Sequence, residues 1–286
     1  MVHSNEPRMS HEQDLVDEAG DETFPASDAP AWTPTHAGAP SRRPLANAPA
    51  DDIHTSLRTD IERLARLPSD REDVIARGML DAGCSVMRHV ACGLSPSRTV
   101  ACAIPGTELL PCLLVAARYD TEDVSGVAAL LALVRALHDA RTRRPVHFVA
   151  LCSPAALAWY VDGLHAESAP VHAMLMLACV DMSRAPRPGR MLVMGDLRSA
   201  MLVLGVRDAI RGSSRTHARA LWLPEWARRD PDQGRPSGRH RCPVVTVTVH
   251  VPWRAPVVPL VPDVDQVAAA LPGLVAAAMR LSETHS

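Results

Sequence analysis

The segment from Cys112 to Pro154 constrains the fold most. It reads CLLVAARYDTEDVSGVAALLALVRALHDARTRRPVHFVALCSP. An apolar run, Leu113 to Ala117, leads into a polar corner. A long apolar helix pattern follows from Val124 to about Ala140, and then a second strand pattern from Val146 to Leu151. This is a strand–helix–strand unit, the building block of a parallel sheet with helices on its faces. Sheets of this kind place ligands at the carboxyl ends of their strands. Those ends are Arg118–Asp123 and Cys152–Ala155, so the residues at these two corners bear on function.

The flanking sequence continues the α/β pattern. Ile61, Leu64, Ala65 and Leu67 form a helical stripe that stops at Pro68. Ser69 to Glu72 carries a capping-box signature opening a second helix, which Gly83 ends. Strand patterns follow at Ser85–Ala91 and Thr99–Ile104, with a Pro105–Gly106 turn. Beyond the central unit the spacing predicts a helix near Ala155–Ala166 and strands at Ala173–Val180 and Met191–Met194. A helix from Leu197 to Arg211 and a strand at Val244–Val251 come next. A last helix, about Asp263 to Leu281, is expected to kink or break at Pro272. Ser125 is read as the N-cap of the central helix, beside Asp123. Gly126 permits close packing there.

The words LLVAARYDT, SGVAALLALVRAL and RRPVHFVAL resemble the zinc aminopeptidase-type peptidases, metallopeptidase family 28. Weaker echoes are VACAIPGT at Val100–Thr107 and GDLRS at Gly195–Ser199. The resemblance spans roughly residues 55–281. It implies an α/β domain over 52–286 with a three-layer α/β/α, zinc-exopeptidase-like architecture. Its central sheet would be mostly parallel, with helices on both faces.

The resemblance also implies two zinc ions held by His and carboxylates, with a Glu as general base. Paired cations lower the pKa of a bound water and clamp both oxygens of the transition state. Residue by residue, this chain departs from that pattern. Arg118 stands where the "HYD" motif has its His; the Asp of the triplet is kept as Asp120. Counting back from Ser125, Thr121 takes the place of the bridging Asp, with Glu122 and Asp123 as nearby carboxylates. The Glu pair falls near Ser153–Ala155, so the base and one ligand have no match. Asp181 offers a further acidic ligand only with a gap, since a gapless match points to Ala178. Pro252–Pro262, where the last ligand His belongs, has no His.

Arg is no substitute ligand, because its guanidinium stays protonated and repels a cation. His147, His165, His172 and His250 are scattered, and no H-E-x-x-H or C-x-x-C spacing rebuilds a site. Three readings compete. The first is a peptidase-like domain without catalysis or cofactor, serving as a binding or interaction protein. The second is an active zinc exopeptidase with a non-standard site from Asp120, Asp123 and Asp181. The third is a metal-free hydrolase using Cys152 or Ser153. Arg118 and the missing Glu pair favour the first, and no residue is then catalytic.

Composition narrows the partners. Net charge is −2 and every Lys/Arg cation is Arg, which argues against bulk nucleic-acid binding. Arg228, Arg229, Arg235, Arg239 and Arg241 lie in a loop where Asp230, Asp232 and Glu225 offset much of their charge. By the resemblance, this loop replaces a region that helps shape the substrate cleft. Seven Cys in no framework spacing suggest free thiols and a reducing compartment. With no signal-peptide pattern and no unbroken apolar span, the expectation is a cytoplasmic protein that does not engage a membrane.

Residues 1–51 differ from the rest. The first thirty carry eight Asp or Glu against one Arg, and no helix or strand period appears. This composition predicts a disordered acidic, Pro-rich tail. Phe24 and Trp32, in ETFPASDAPAW, give it two aromatic anchors that suit a docking motif for a protein or peptide partner.

Overall fold

Strand β3, Cys112–Arg118, is the middle of the molecule, and its sequence shows why. Leu113, Val115 and Ala117 point into one apolar cluster; Cys112, Leu114 and Ala116 point into another. Successive side chains of a strand alternate between faces. A strand apolar at every position is therefore buried on both sides, the signature of a parallel strand between two helical layers.

The computed structural model describes residues 50–91, 97–180, 190–213, 217–222, 242–249 and 262–283. In chain order the described elements begin with helices α1 (Ala50–Arg66) and α2 (Arg71–Asp81), then strands β1 (Val86–Ala91) and β2 (Ser97–Ile104), followed by β3. Next come α3 (Ser125–Leu137), β4 (Val146–Leu151), α4 (Pro154–Ala166), β5 (Val171–Leu177) and β6 (Arg190–Gly195). The series ends with α5 (Ala200–Ser213), β7 (His217–Trp222), β8 (Val244–Thr248) and α6 (Val264–Glu283). Short 3-10 turns at Pro68–Asp70 and Leu197–Ser199 precede α2 and α5.

The described strands form one mixed sheet in the order β1-β2-β4-β3-β5-β8-β6-β7. The pairs β3–β4, β3–β5, β5–β8 and β6–β7 are parallel. The pairs β1–β2, β2–β4 and β6–β8 are antiparallel. One face is covered by α1, α2, α3, α5 and α6, through residues such as Leu57, Met79, Leu130, Val206 and Leu274. The other face is covered by α4, through Leu157, Tyr160, Val161 and Leu164. This is the expected three-layer α/β/α arrangement.

Helix α3 has almost no polar side. It is buried from Ser125 to Val134 and lies against the sheet on one side and α1, α2 and α6 on the other. A helix apolar all round belongs inside a protein. Arg135, in its last turn, reaches out to Asp60 of α1 with Nη1–Oδ2 2.5 Å and Nη2–Oδ1 3.1 Å.

Several local expectations are corrected. The capping box at Ser69–Glu72 does not form. Asp70 occupies the cap without a side-chain bond to the helix. Ser69 Oγ donates to Asp70 Oδ1 (3.0 Å), and Glu72 turns to Arg88 and Arg98. Gly83 does end α2, in the left-handed conformation at φ +85°. Helix α6 runs through Pro272 to Glu283 without a break. Strand β5 stops at Leu177, three residues before the expected Val180. Strand β7 was not legible in the pattern: HARALW has neither a clean alternation nor an apolar run, and its burial is mixed.

His147 in β4 and His172 in β5 are both partly buried. His147 Nδ1 lies 3.1 Å from Tyr160 Oη. Burial pushes the pKa of His147 down, and burial followed by the Arg144 charge does the same to His172. Both rings are therefore held neutral in the fold, while the unfolded chain protonates them near the ordinary 6.5. The unfolded state then binds more protons. Their contribution is fully present above about pH 6.5 and is lost as pH falls through the depressed folded values. The urea midpoint is expected to drop between pH 7.5 and pH 5.5. His147→Gln, which keeps a partner for Tyr160, should show a smaller drop. An equal drop in both proteins would rule out His147 as a source.

Candidate functional site

The carboxyl edge of the sheet gathers the ends of β3, β4 and β5. Its geometry starts from the close approach of α3 to the exit of β5. A Cβ on Gly126 would lie 2.5 Å from Ala178 O and 2.6 Å from Leu177 O. Those atoms are backbone and cannot swing aside, so glycine is the residue that lets the helix start here. Ser125, fully buried, accepts a hydrogen bond at Oγ from Val180 N (3.0 Å).

Ser125 is thus not the N-cap that its sequence context suggested. It is the first residue of α3, and Val124 occupies the cap position without a side-chain bond. The capping is done by Asp123, whose Oδ1 accepts from Ser125 N (2.8 Å). A carboxylate at a helix N-terminus satisfies an orphan N–H and meets the positive end of the helix dipole. Thr121 Oγ1 donates to Asp123 O (2.8 Å), closing the corner on itself.

Arg118 and Asp120 face each other two residues apart. Arg118 Nε donates to Asp120 Oδ1 (2.9 Å) and Nη2 to Oδ2 (2.7 Å), a bidentate fork. Their side chains are 22% and 30% exposed. Glu122, by contrast, is exposed.

A second arginine, which the sequence reading missed, holds this corner from behind. Arg71 is 9% exposed. It donates from Nε to Leu64 O (2.8 Å), and from Nη1 to Tyr119 O (2.8 Å) and Thr121 O (2.6 Å). One guanidinium therefore ties the end of α1 to the exit of β3. Burial pushes its pKa down, and the Asp120 carboxylate nearby pulls it back up. The only hint in the sequence was a lone Arg at the start of α2, where the positive end of the helix dipole disfavours a cation.

At the end of β4, Cys152 Sγ accepts from Arg98 N (2.8 Å), and Cys152 N donates to Arg98 O (3.3 Å). Tyr119 Oη donates to the same carbonyl (3.2 Å), and burial first, then Cys152, raises its hydroxyl pKa. Ser153 is the N-cap of α4, accepting at Oγ from Ala156 N (3.2 Å) with Pro154 in the first turn. Asp181 and the Trp226–Arg241 loop lie outside the described residues, as do His250 and nearly all of Pro252–Pro262. So do Phe24 and Trp32.

A zinc centre needs several converging carboxylate, imidazole or thiolate donors. Among the described residues no three His, Cys, Asp or Glu side chains converge in that way. Asp120 gives both oxygens to a guanidinium, Asp123 caps a helix, and Ser153 stands in the region of the missing Glu pair. The described residues of this edge do not fit a two-zinc centre.

No family model matches the chain, and no curated protein matches it in sequence. Solved structures do. The aminopeptidase LapA of Legionella pneumophila superposes with a TM-score of 0.66 at 13% identity, over 83% of this chain and 74% of that one. A zinc-dependent exopeptidase of Parabacteroides distasonis gives 0.58 at 13%, over 81% and 98%. The glutaminyl cyclase of Porphyromonas gingivalis gives 0.58 at 13%, over 80% and 97%. The fold is that of the zinc-dependent aminopeptidases and exopeptidases.

The partial exposure of the Arg118–Asp120 pair sets its energetic weight. Breaking a fully buried pair costs about 3–5 kcal/mol, whereas exposed pairs contribute about 0–1. Arg118→Ala is expected to lower unfolding free energy by about 1–2 kcal/mol between those limits. A double-mutant cycle with Asp120→Ala, read by urea denaturation, checks it. Additive single losses would mean that the two side chains do not support each other.

Proposed function

We propose that this chain is a peptidase-like domain that has left zinc-dependent aminopeptidase chemistry and acts as a binding or interaction protein. The observation that carries this reading is the Arg118–Asp120 fork at the end of β3. A permanent cation stands where the sequence resemblance implies a ligating His, and it occupies both oxygens of the neighbouring carboxylate. The other corner supports it: Ser153 caps a helix where a general base would be needed. On this reading the protein needs no cofactor.

The test is metal content together with turnover. The full chain, purified and dialysed against zinc-containing and then zinc-free buffer, is expected to retain well under one equivalent of zinc. It should not hydrolyse a panel of aminoacyl substrates. One or two retained equivalents with turnover would instead establish a zinc exopeptidase with a site such as Asp120, Asp123 and Asp181. Metal-independent turnover abolished by Cys152→Ala or Ser153→Ala would establish the thiol or hydroxyl hydrolase.

The partner side of the proposal rests on the N-terminal segment. It is a cytoplasmic protein or peptide, not nucleic acid or membrane, engaged by Phe24 and Trp32 as aromatic anchors. In the full chain, Phe24→Ala with Trp32→Ala should abolish capture of the partner from source-cell extract while leaving Tm unchanged. Undiminished capture would show that the aromatics play no part.

A further inference from the structure

Strand β8 runs parallel to β5 and β3, and β6 runs antiparallel to β8. The exits of β6 and β7 therefore lie at the opposite end of the sheet from Arg118. Gly195 and Trp222 are register partners there. A Cβ on Gly195 would come within 2.5 Å of Val203 Cγ2 and 3.3 Å of Ser199 Cβ, so the entry to α5 folds back directly over the end of β6. Asp196 holds this return, its Oδ1 accepting from Ser199 N (2.8 Å) and Ser199 Oγ (2.7 Å). Ala218 and Ala220 pack on the α5 side of β7, so by strand alternation Trp222 ends on that side too. The return leaves Leu197 81% and Met201 68% exposed at the entry to α5, flanking Trp222 at 39%. Exposed apolar side chains gathered at one place, unlike scattered ones, mark a contact surface.

The strand edge and its charge say what covers this surface. β7 is the last strand of the sheet, and among the described residues no strand pairs with its outer edge. Such an edge offers a row of backbone donors and acceptors to another extended chain. On the side away from α5, Arg219 is exposed, and Arg190 stands on that same side at the register level of His217. Arg198, also exposed, follows Leu197. Among the described residues none of these three arginines has a carboxylate within ion-pair reach. The acids of this segment are engaged locally, Asp196 by Ser199 and Asp208 by Arg207 (2.7 Å).

We propose that the β7 edge is a docking site for an extended acidic segment of a partner protein, which joins the sheet as a further strand. Its carboxylates meet Arg219 and Arg190 on one face, and its apolar side chains meet Trp222 and the entry to α5 on the other. A strand sends successive side chains to opposite faces, so a segment alternating acidic and apolar residues satisfies both at once. A second copy of this chain fits poorly, because edge-to-edge pairing would set arginine against arginine, and a charged edge discourages self-pairing. A nucleic acid would meet the arginines but leave Leu197 and Met201 without apolar partners, and it has no peptide edge to offer β7. The surface is separate from the Arg118 edge, so the inference stands whether or not zinc chemistry has been lost.

The test is fluorescence anisotropy of the full chain with a labelled Glu-Val-Glu-Ile-Glu-Val-Glu-Ile peptide. Saturable binding is expected, weakened by added salt and lowered about tenfold by Arg219→Glu or Leu197→Ser. The isomer Glu-Glu-Glu-Glu-Val-Ile-Val-Ile, of equal charge, should bind about tenfold less tightly. Arg219→Glu should instead prefer the peptide with lysine in place of each glutamate. On the unaltered chain, bound peptide should slow amide hydrogen exchange over residues 217–222. The proposal is overturned if the alternating peptide does not bind, if its isomer binds equally well, or if both variants bind as the unaltered chain does. It is also overturned if an oligothymidylate binds with the same dependence on Arg219 and Leu197, or if the chain forms a dimer that Leu197→Ser dissolves. Should a variant fail to fold, the exchange measurement decides alone.

Discussion

The carboxyl edge depends on how closely α3 approaches the end of β5. Gly126 brings the helix start to within a side chain's thickness of two backbone carbonyls, and Ser125 Oγ takes up the Val180 N–H that the approach would otherwise bury unpaired. Burying a backbone donor without a partner costs about 1–3 kcal/mol. Once this contact is made, the corner from Tyr119 to Asp123 has little freedom left. Asp123 must cap the helix, Thr121 folds back onto Asp123, and Arg71 fills the space behind with three carbonyl contacts. The site region is thus a consequence of packing, and its charged groups are arranged by it.

That arrangement bears on how the edge balances its own charges. Carboxylates left at a strand edge without a counterion repel one another and lose their charge. Here each described carboxylate of the edge other than the exposed Glu122 has a partner supplied by the chain: Asp120 has Arg118, and Asp123 has the α3 N-terminus. At the next corner Glu72 has Arg88 and Arg98. The all-Arg composition suits this role, because a guanidinium meets a carboxylate with two parallel bonds and keeps its charge in partial burial. The same fork also bonds backbone carbonyls, as Arg71 does here.

Much of the fold was legible because its elements obey single local rules. β4 falls on Val146–Leu151 as expected, since a short apolar run bounded by Pro145 and Cys152 has one reading. The central helix is recognisable by its length and unbroken apolarity. The failures fall where two residues compete for one role. Ser125 and Asp123 both suit an N-cap, and the tertiary contact to Val180 took Ser125 away. Ser69 and Glu72 fit a capping box, but Arg88 and Arg98, distant in sequence, claimed the glutamate. β7 is held through its pairing with β6 rather than by an apolar pattern of its own. The residues of the site could be named from sequence, and the Arg118–Asp120 fork follows from the two residue types, because a carboxylate there needs a counterion and a guanidinium binds one bidentately. The Arg71 clamp could not be named, because it depends on where a long side chain points once the backbone is set.

The contrast between the two sides of the sheet carries the argument one step further. The face under α4 and the sheet's amino-terminal half bury histidines and thiols as neutral groups. The carboxyl edge keeps its charges in pairs at the boundary with solvent. Neutral burial favours packing, while paired charge at a rim favours discrimination among partners, since a ligand must compete with the internal pair for each group. A ligand carboxylate would have to displace Asp120 from Arg118, and a ligand cation would have to displace Arg118 from Asp120. Either exchange conserves the number of charged contacts, so its selectivity comes from geometry rather than from net charge.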